Sequence, residues 1–255
     1  MRFRLKAFGL HLLASTCVLT LVLGGLYLGW YQWPGWYLTA VFSVSALLAF
    51  VDLALGPLLT FVIANPAKPR RKLARDIAII ATAQLTALAY GSATLWSGRP
   101  LYYTFSLDRL EVVRAFEIDD HEIERARQTN PAFAPHWYSR PRWVWATYPA
   151  DPKEAKAIIS AAAGGGADVV DMPRLFRPWH DGLPELRRQL RTPDKLTNLS
   201  RAQIDYVKAR LKERGFPADA PITMIMTGRE DPLVAVFDPA TAEMKRLLQV
   251  PGAPR

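Results

Sequence analysis

Cysteine occurs once in these 255 residues, and charge is missing from most of the first fifth of the chain. A single thiol, Cys17, excludes an internal disulfide, and no Cys/His group has zinc-ligand spacing. No metal or cofactor is expected. Catalytic signatures are absent as well. There is no Gly-x-Ser-x-Gly elbow, and the region after Ser97 has no cysteine nucleophile. Gly164-Gly165-Gly166 lacks the Lys-Ser/Thr pair of a phosphate loop and reads as a helix stop. His121, His136 and His180 are scattered and read as surface residues. Nothing here supports an enzyme.

Lys, Arg, Asp and Glu are all missing from Ala7 to Val51. The mean hydropathy of +0.02 therefore averages two unlike parts. Three apolar runs, about 8–31, 36–64 and 77–96, reach the roughly 20 residues that a bilayer core requires. The first is too long for a signal peptide and no small-residue cleavage site follows it. Ala14-Ser15-Thr16-Cys17 matches a lipoprotein site poorly, so Cys17 is expected to be a buried, inert thiol. Tyr27, Trp30, Tyr31, Trp33, Trp36 and Tyr37 cluster around a Pro34-Gly35 turn as an interfacial aromatic belt. The net charge of +9 is unevenly spread: Arg2, Arg4 and Lys6 precede the first run, and Lys68, Arg70, Arg71, Lys72 and Arg75 fill the second loop. From residue 97 onward 24 basic face 21 acidic residues. That balance marks membrane orientation and gives no basis for a nucleic-acid surface. The positive-inside rule makes the N-terminus and the second loop cytoplasmic, and residues 98–255 periplasmic. The expected architecture is three transmembrane α-helices in residues 1–97 followed by an α+β periplasmic domain.

Asp52 lies inside the second run, where a carboxylate costs roughly 2.5–3.5 kcal/mol on insertion scales and calls for a partner. Asp52, Thr60, Gln84 and Tyr90 have two readings: they bond one another across spans two and three, or they form a polar notch that holds a foreign helix. Gly56-Pro57 predicts a break in span two that exposes carbonyls. Gly25 and Gly29 have the spacing of a close helix pair. Asp76 is expected to cap the start of span three.

The outer part reads as strands at 101–107 and 110–116 joined through Asp108-Arg109, a short helix after Asp119, and a strand at 143–148. A helix opened by Asp151-Pro152 follows, then a short strand bounded by Asp168 and Asp171. Helices at 183–190 and from Ser200 to Arg214 come next. Three strands at 222–226, 233–237 and 244–250 close the chain, with turns at Gly228-Arg229-Glu230-Asp231 and Asp238-Pro239. Two segments are rich in the Trp, Tyr and Arg of binding hot spots. One holds Trp137, Tyr138, Arg140 and Arg142. The other, expected to be irregular, holds Arg174, Phe176, Arg177 and Trp179.

Lys6 to Leu13, Asp52-x-x-Leu55-Gly56-Pro57-Leu58-Leu59-Thr60, Asn65-Pro66-x-Lys68, Asp76, Gln84 with Ala89-Tyr90-Gly91, Arg99-Pro100, and Asp238-Pro239-Ala240-Thr241 form a set of motifs along the chain. Together they resemble the type IV pilin accessory proteins. Ala242 departs from the glycine common at that turn. The resemblance is specific over about residues 5–117 and looser beyond. It implies a non-catalytic inner-membrane helper that binds the major type IV pilin, both transmembrane helix and globular head, within membrane lipid and beside the pilus assembly machinery. Asp52, Gly56, Pro57, Thr60, Gln84 and Tyr90, with the two Arg/aromatic segments, are then the expected pilin-binding residues. The alternatives are a membrane-anchored periplasmic enzyme or a sensor. A sensor would need a larger cytoplasmic part.

Overall fold

The computed structural model describes residues 1–39, 41–107, 109–226, 233–238, 240–241 and 243–251. The chain forms two compact units, Met1–Arg99 and Pro100–Arg255. In the first, α1 (Arg2–Gly29), α2 (Val41–Ile63) and α3 (Arg70–Ser97) are each long and apolar enough to cross a membrane. A short helical turn, Gly35–Leu38, precedes α2. Two helices start earlier than their apolar runs. Arg70, Arg71 and Lys72 are good helix formers, and the first breaker upstream is Pro69, so α3 gains more than a turn. Asp76 therefore is not a cap. It sits inside α3 with its carboxylate 3.1 Å from Lys68 Nζ.

The three helices pack around Leu19, Tyr31, Leu48, Leu88 and Leu95. The Tyr31 hydroxyl donates to the Leu95 carbonyl at 2.6 Å. Gly91 allows the close approach, since a Cβ there would lie 2.4 Å from a methyl of Leu48. No described helix of this chain packs against Gly25 or Gly29: a Cβ at either would meet nothing within 4 Å. Cys17 is exposed on α1 rather than buried.

The second unit is built on a seven-stranded sheet of order β4-β3-β1-β2-β5-β6-β7. The strands are β1 (Pro100–Ser106), β2 (Arg109–Arg114), β3 (Arg142–Ala146), β4 (Phe176–Pro178), β5 (Ile222–Met226), β6 (Leu233–Phe237) and β7 (Met244–Gln249). β1 runs parallel to β3, and β2 parallel to β5, while the other pairs are antiparallel. The helices are α4 (Asp120–Thr129), α5 (Pro152–Ala163), α6 (Leu183–Gln189) and α7 (Arg201–Glu213). Their starts follow local chemistry. The Asp119 and Asp151 side chains accept from backbone N–H groups two residues on, and Ser200 with Gln203 forms a reciprocal capping box. One core joins Leu101, Tyr102, Val113, Val144 and Phe176 to Ile158 of α5. A second joins Ile222, Val234, Val236 and Leu248 to Ile204, Val207 and Leu211 of α7.

Two expectations for this unit change. Asp168 and Asp171 do not bound a strand: Val169–Asp171 is a 3-10 turn in which each carboxylate accepts a backbone N–H at the other end. The expected irregular stretch from Pro173 to Trp179 contains the edge strand β4, because Phe176 pairs opposite Ala146 and drops into the core. The turn Gly228-Arg229-Glu230-Asp231, Asp108, Pro239 and Ala242 lie outside the described residues.

Candidate functional site

Span two is not broken at Gly56-Pro57. It widens instead, as Phe50–Leu55 forms a π-helical turn before α-helix resumes at Gly56. The Gly56 N–H reaches the Val51 carbonyl, five residues back. In that register the carbonyl of Asp52 would look to residue 57, which is proline and has no N–H. The missing donor comes from another helix. Gln84 Nε2 of α3 stands 3.4 Å from the Asp52 carbonyl and 3.3 Å from Asp52 Oδ1. Only glycine at 56 permits this, since a Cβ there would lie 2.0 Å from Gln84 Nε2.

The other end of the Gln84 amide is held by α1. His11 Nε2 lies 2.7 Å from Gln84 Oε1, and His11 Nδ1 lies 2.6 Å from Thr60 Oγ1. An amide oxygen only accepts, so His11 carries its hydrogen on Nε2, and in the neutral ring the Thr60 hydroxyl donates to Nδ1. A continuous chain Asp52–Gln84–His11–Thr60 thus ties all three helices together. Asp52, Thr60 and Gln84 are buried, and Asp52 is only 5 % exposed. Tyr90 is 77 % exposed and stands outside this group. Beside the chain lies a cleft of about 180 Å³, walled by His11, Ala14, Ser15 and Val18 of α1 and by Ala81, Gln84, Leu85 and Leu88 of α3. Asp52 lines its floor.

In the outer unit the Arg/aromatic set divides. Arg174 is internal: its guanidinium bridges Glu122 at 3.0 Å and Glu154 at 2.7 Å. Phe176 is buried against Tyr102, with ring centroids 4.9 Å apart. Trp179 packs on Trp143 and Phe105. Arg142 lies over the rings of Tyr102 and Phe133 and donates to the Ala132 carbonyl. Trp137, Tyr138, Arg140 and Arg177 are exposed.

A charged knot sits elsewhere on the same unit. Arg109 Nη2 meets Asp168 Oδ2 at 3.1 Å, and the Tyr148 hydroxyl donates to Asp168 Oδ1 at 2.8 Å. Burial, then that bond to Asp168, pushes the Tyr148 phenol up to about 12. Burial pushes Asp171 up to about 6, with Glu111, Glu117 and Asp168 adding to the effect. Among the described residues no group of three His, Cys, Asp or Glu side chains could hold a metal ion.

The chain is 30 % identical over 190 residues to the fimbrial assembly protein of serogroup I from Dichelobacter nodosus, covering 73 % of this chain and 71 % of that one. It belongs to the fimbrial assembly protein family. The serogroup E1 fimbrial assembly protein of the same organism is 27 % identical over 216 residues, covering 83 % of this chain and 81 % of its own length. The fimbrial assembly protein of serogroups C1 and C2 is 32 % identical over 124 residues, or 49 % of this chain and 95 % of that one. No family model and no solved structure matches. The family agrees with the resemblance to type IV pilin accessory proteins.

Sequence reasoning missed one member of the site, His11. The signal was present: it is the one titratable nitrogen between Ala7 and Val51, and an ionisable side chain at membrane depth marks a site.

Proposed function

We propose that this chain acts in type IV pilus assembly as a non-catalytic inner-membrane partner of the major pilin. The three helices cross the inner membrane with the N-terminus and the 64–69 loop in the cytoplasm, and the outer unit lies in the periplasm. The cleft between α1 and α3, with Asp52 at its floor, takes the apolar transmembrane helix of the pilin. The outer unit meets the pilin head on the side carrying the exposed Arg177, and the helper presents the subunit to the assembly machinery.

One observation carries the reading. A helix bundle needs interhelical bonds for cohesion, but it does not need an open cleft beside a buried carboxylate. The fimbrial assembly relatives direct the choice of partner.

Affinity capture of the detergent-solubilised full chain from pilin-expressing cells tests it. The native chain is expected to retain the major pilin, and Asp52→Leu and Ala14→Trp, which fills the cleft, are expected to lose it. Unchanged pilin recovery and surface piliation with either variant, stably inserted, would overturn the reading.

A further inference from the structure

Three of the outer unit's largest exposed side chains gather at one end of its sheet. Trp137 is 73 % exposed, Phe116 59 % and Tyr138 58 %. The Tyr138 ring is stacked on His136, and Arg114 lies over the Phe116 ring. Strand register sets their place. Arg114, at the end of β2, pairs opposite Pro100, where β1 begins, so the Ala115–Glu117 turn that carries Phe116 continues from that edge. β3 runs parallel to β1 with Arg142 beside Tyr102, so the His136–Ser139 turn leads into the sheet at the same end.

This is the end at which the chain arrives from α3. Pro100 follows Ser97 by three residues, a reach of at most about 11 Å even when fully extended. Residues 131–143 carry two arginines and no carboxylate. Trp and Tyr with Arg is the composition that settles at a bilayer surface, where the ring lies among the upper acyl chains and the guanidinium meets phosphate.

We infer that Phe116, Trp137, Tyr138 and Arg140 form a rim that rests in the phospholipid headgroup layer of the bilayer that α3 crosses. The inference uses the reading of α1–α3 as membrane spans and is independent of pilin. The rim explains why these rings stand exposed on a unit whose other described aromatics are buried or half-buried. It also gives the outer unit a second attachment besides the two-residue link Gly98-Arg99.

Spin labels on the full-length chain test it. In a Cys17→Ala background, single cysteines replace Tyr138, Lys212 at the exposed end of α7, and Leu21 on α1. Each protein is reconstituted alone in nanodiscs of phosphatidylethanolamine and phosphatidylglycerol. Collision rates with oxygen and with a water-soluble nickel chelate are then measured. The Leu21 label is expected to be oxygen-dominated, the Lys212 label nickel-dominated, and the Tyr138 label intermediate, as at an interface. A label at Phe116→Cys should shift toward nickel when Trp137→Ser is added, because the remaining rim holds lipid less well.

A Tyr138 label as open to nickel as the Lys212 label, with Leu21 still oxygen-dominated, overturns the rim alone. A nickel-dominated Leu21 label overturns the membrane reading and the rim together. Shielding of Tyr138 that arises only when pilin is co-reconstituted also overturns it, and assigns the turn to protein contact.

Discussion

His11 shows how much one side chain can hold. Its two ring nitrogens serve two different helices, so removing it leaves the Thr60 hydroxyl and Gln84 Oε1 without these partners. Interhelical hydrogen bonds in membranes average about 0.6 kcal/mol each, so His11→Leu is expected to cost about 1–2 kcal/mol, the upper end reflecting the buried groups left unmet. Thermal unfolding of the full chain in mild detergent measures it. An unchanged transition would mean that Gln84 and Thr60 find other partners. Asp171 gives a second prediction at this scale. Its folded pKa lies near 6, above the ordinary 3.8, so the native state binds the proton more tightly than the unfolded chain does. Its contribution is therefore fully present below 3.8, and is lost as pH rises through about 6. Asp171→Asn keeps an oxygen for the Asp168 N–H and removes the titration. The variant's melting temperature should fall less than the native protein's across this window.

At the scale of elements, the π turn in α2 is the feature on which the site depends. Proline at 57 withholds one N–H, and the widened turn leaves the Asp52 carbonyl to be met from α3. Gly56→Ala puts a methyl where the Gln84 amide now lies and should displace it, at about 1–3 kcal/mol in stability. Pilin capture should weaken as well. The companion Gly9→Ala, inside α1 at a position with nothing within 4 Å, should leave pilin capture unchanged and lose no stability, gaining at most about 1 kcal/mol from helix propensity. The sequence carried much of this. Asp52, Gln84, Thr60, Gly56 and Pro57 stand out as polar or helix-breaking residues in apolar runs, where each needs a reason. What could not be read was the outcome at Gly56-Pro57, a widened turn instead of a break. That outcome depends on a donor from a residue 32 positions away. The outer helices were legible because caps are local, whereas β4 was not. Three residues make a strand only when a partner such as β3 lies alongside.

At the scale of the whole molecule, the uneven placement of eight basic residues predicts orientation. Alkaline phosphatase fused after Val250 should be active, and fused within the 65–68 loop it should be inactive. The reverse pattern would move the outer unit to the cytoplasm and remove the periplasmic half of the proposed function.

Sequence alone determined what depends on composition and near neighbours. Apolar length defined three helices able to span a bilayer. Local caps opened α4, α5 and α7, and alternating β-branched and aromatic runs marked most strands. Tertiary structure alone decided what depends on groups distant in the chain. It brought His11, Asp52, Thr60 and Gln84 into one chain of hydrogen bonds and opened a cleft beside them. It turned Arg174 and Phe176 inward while leaving Trp137 and Tyr138 outside. The physical reason is range: a hydrogen bond acts over about 3 Å, and only the folded chain settles which residues come that close.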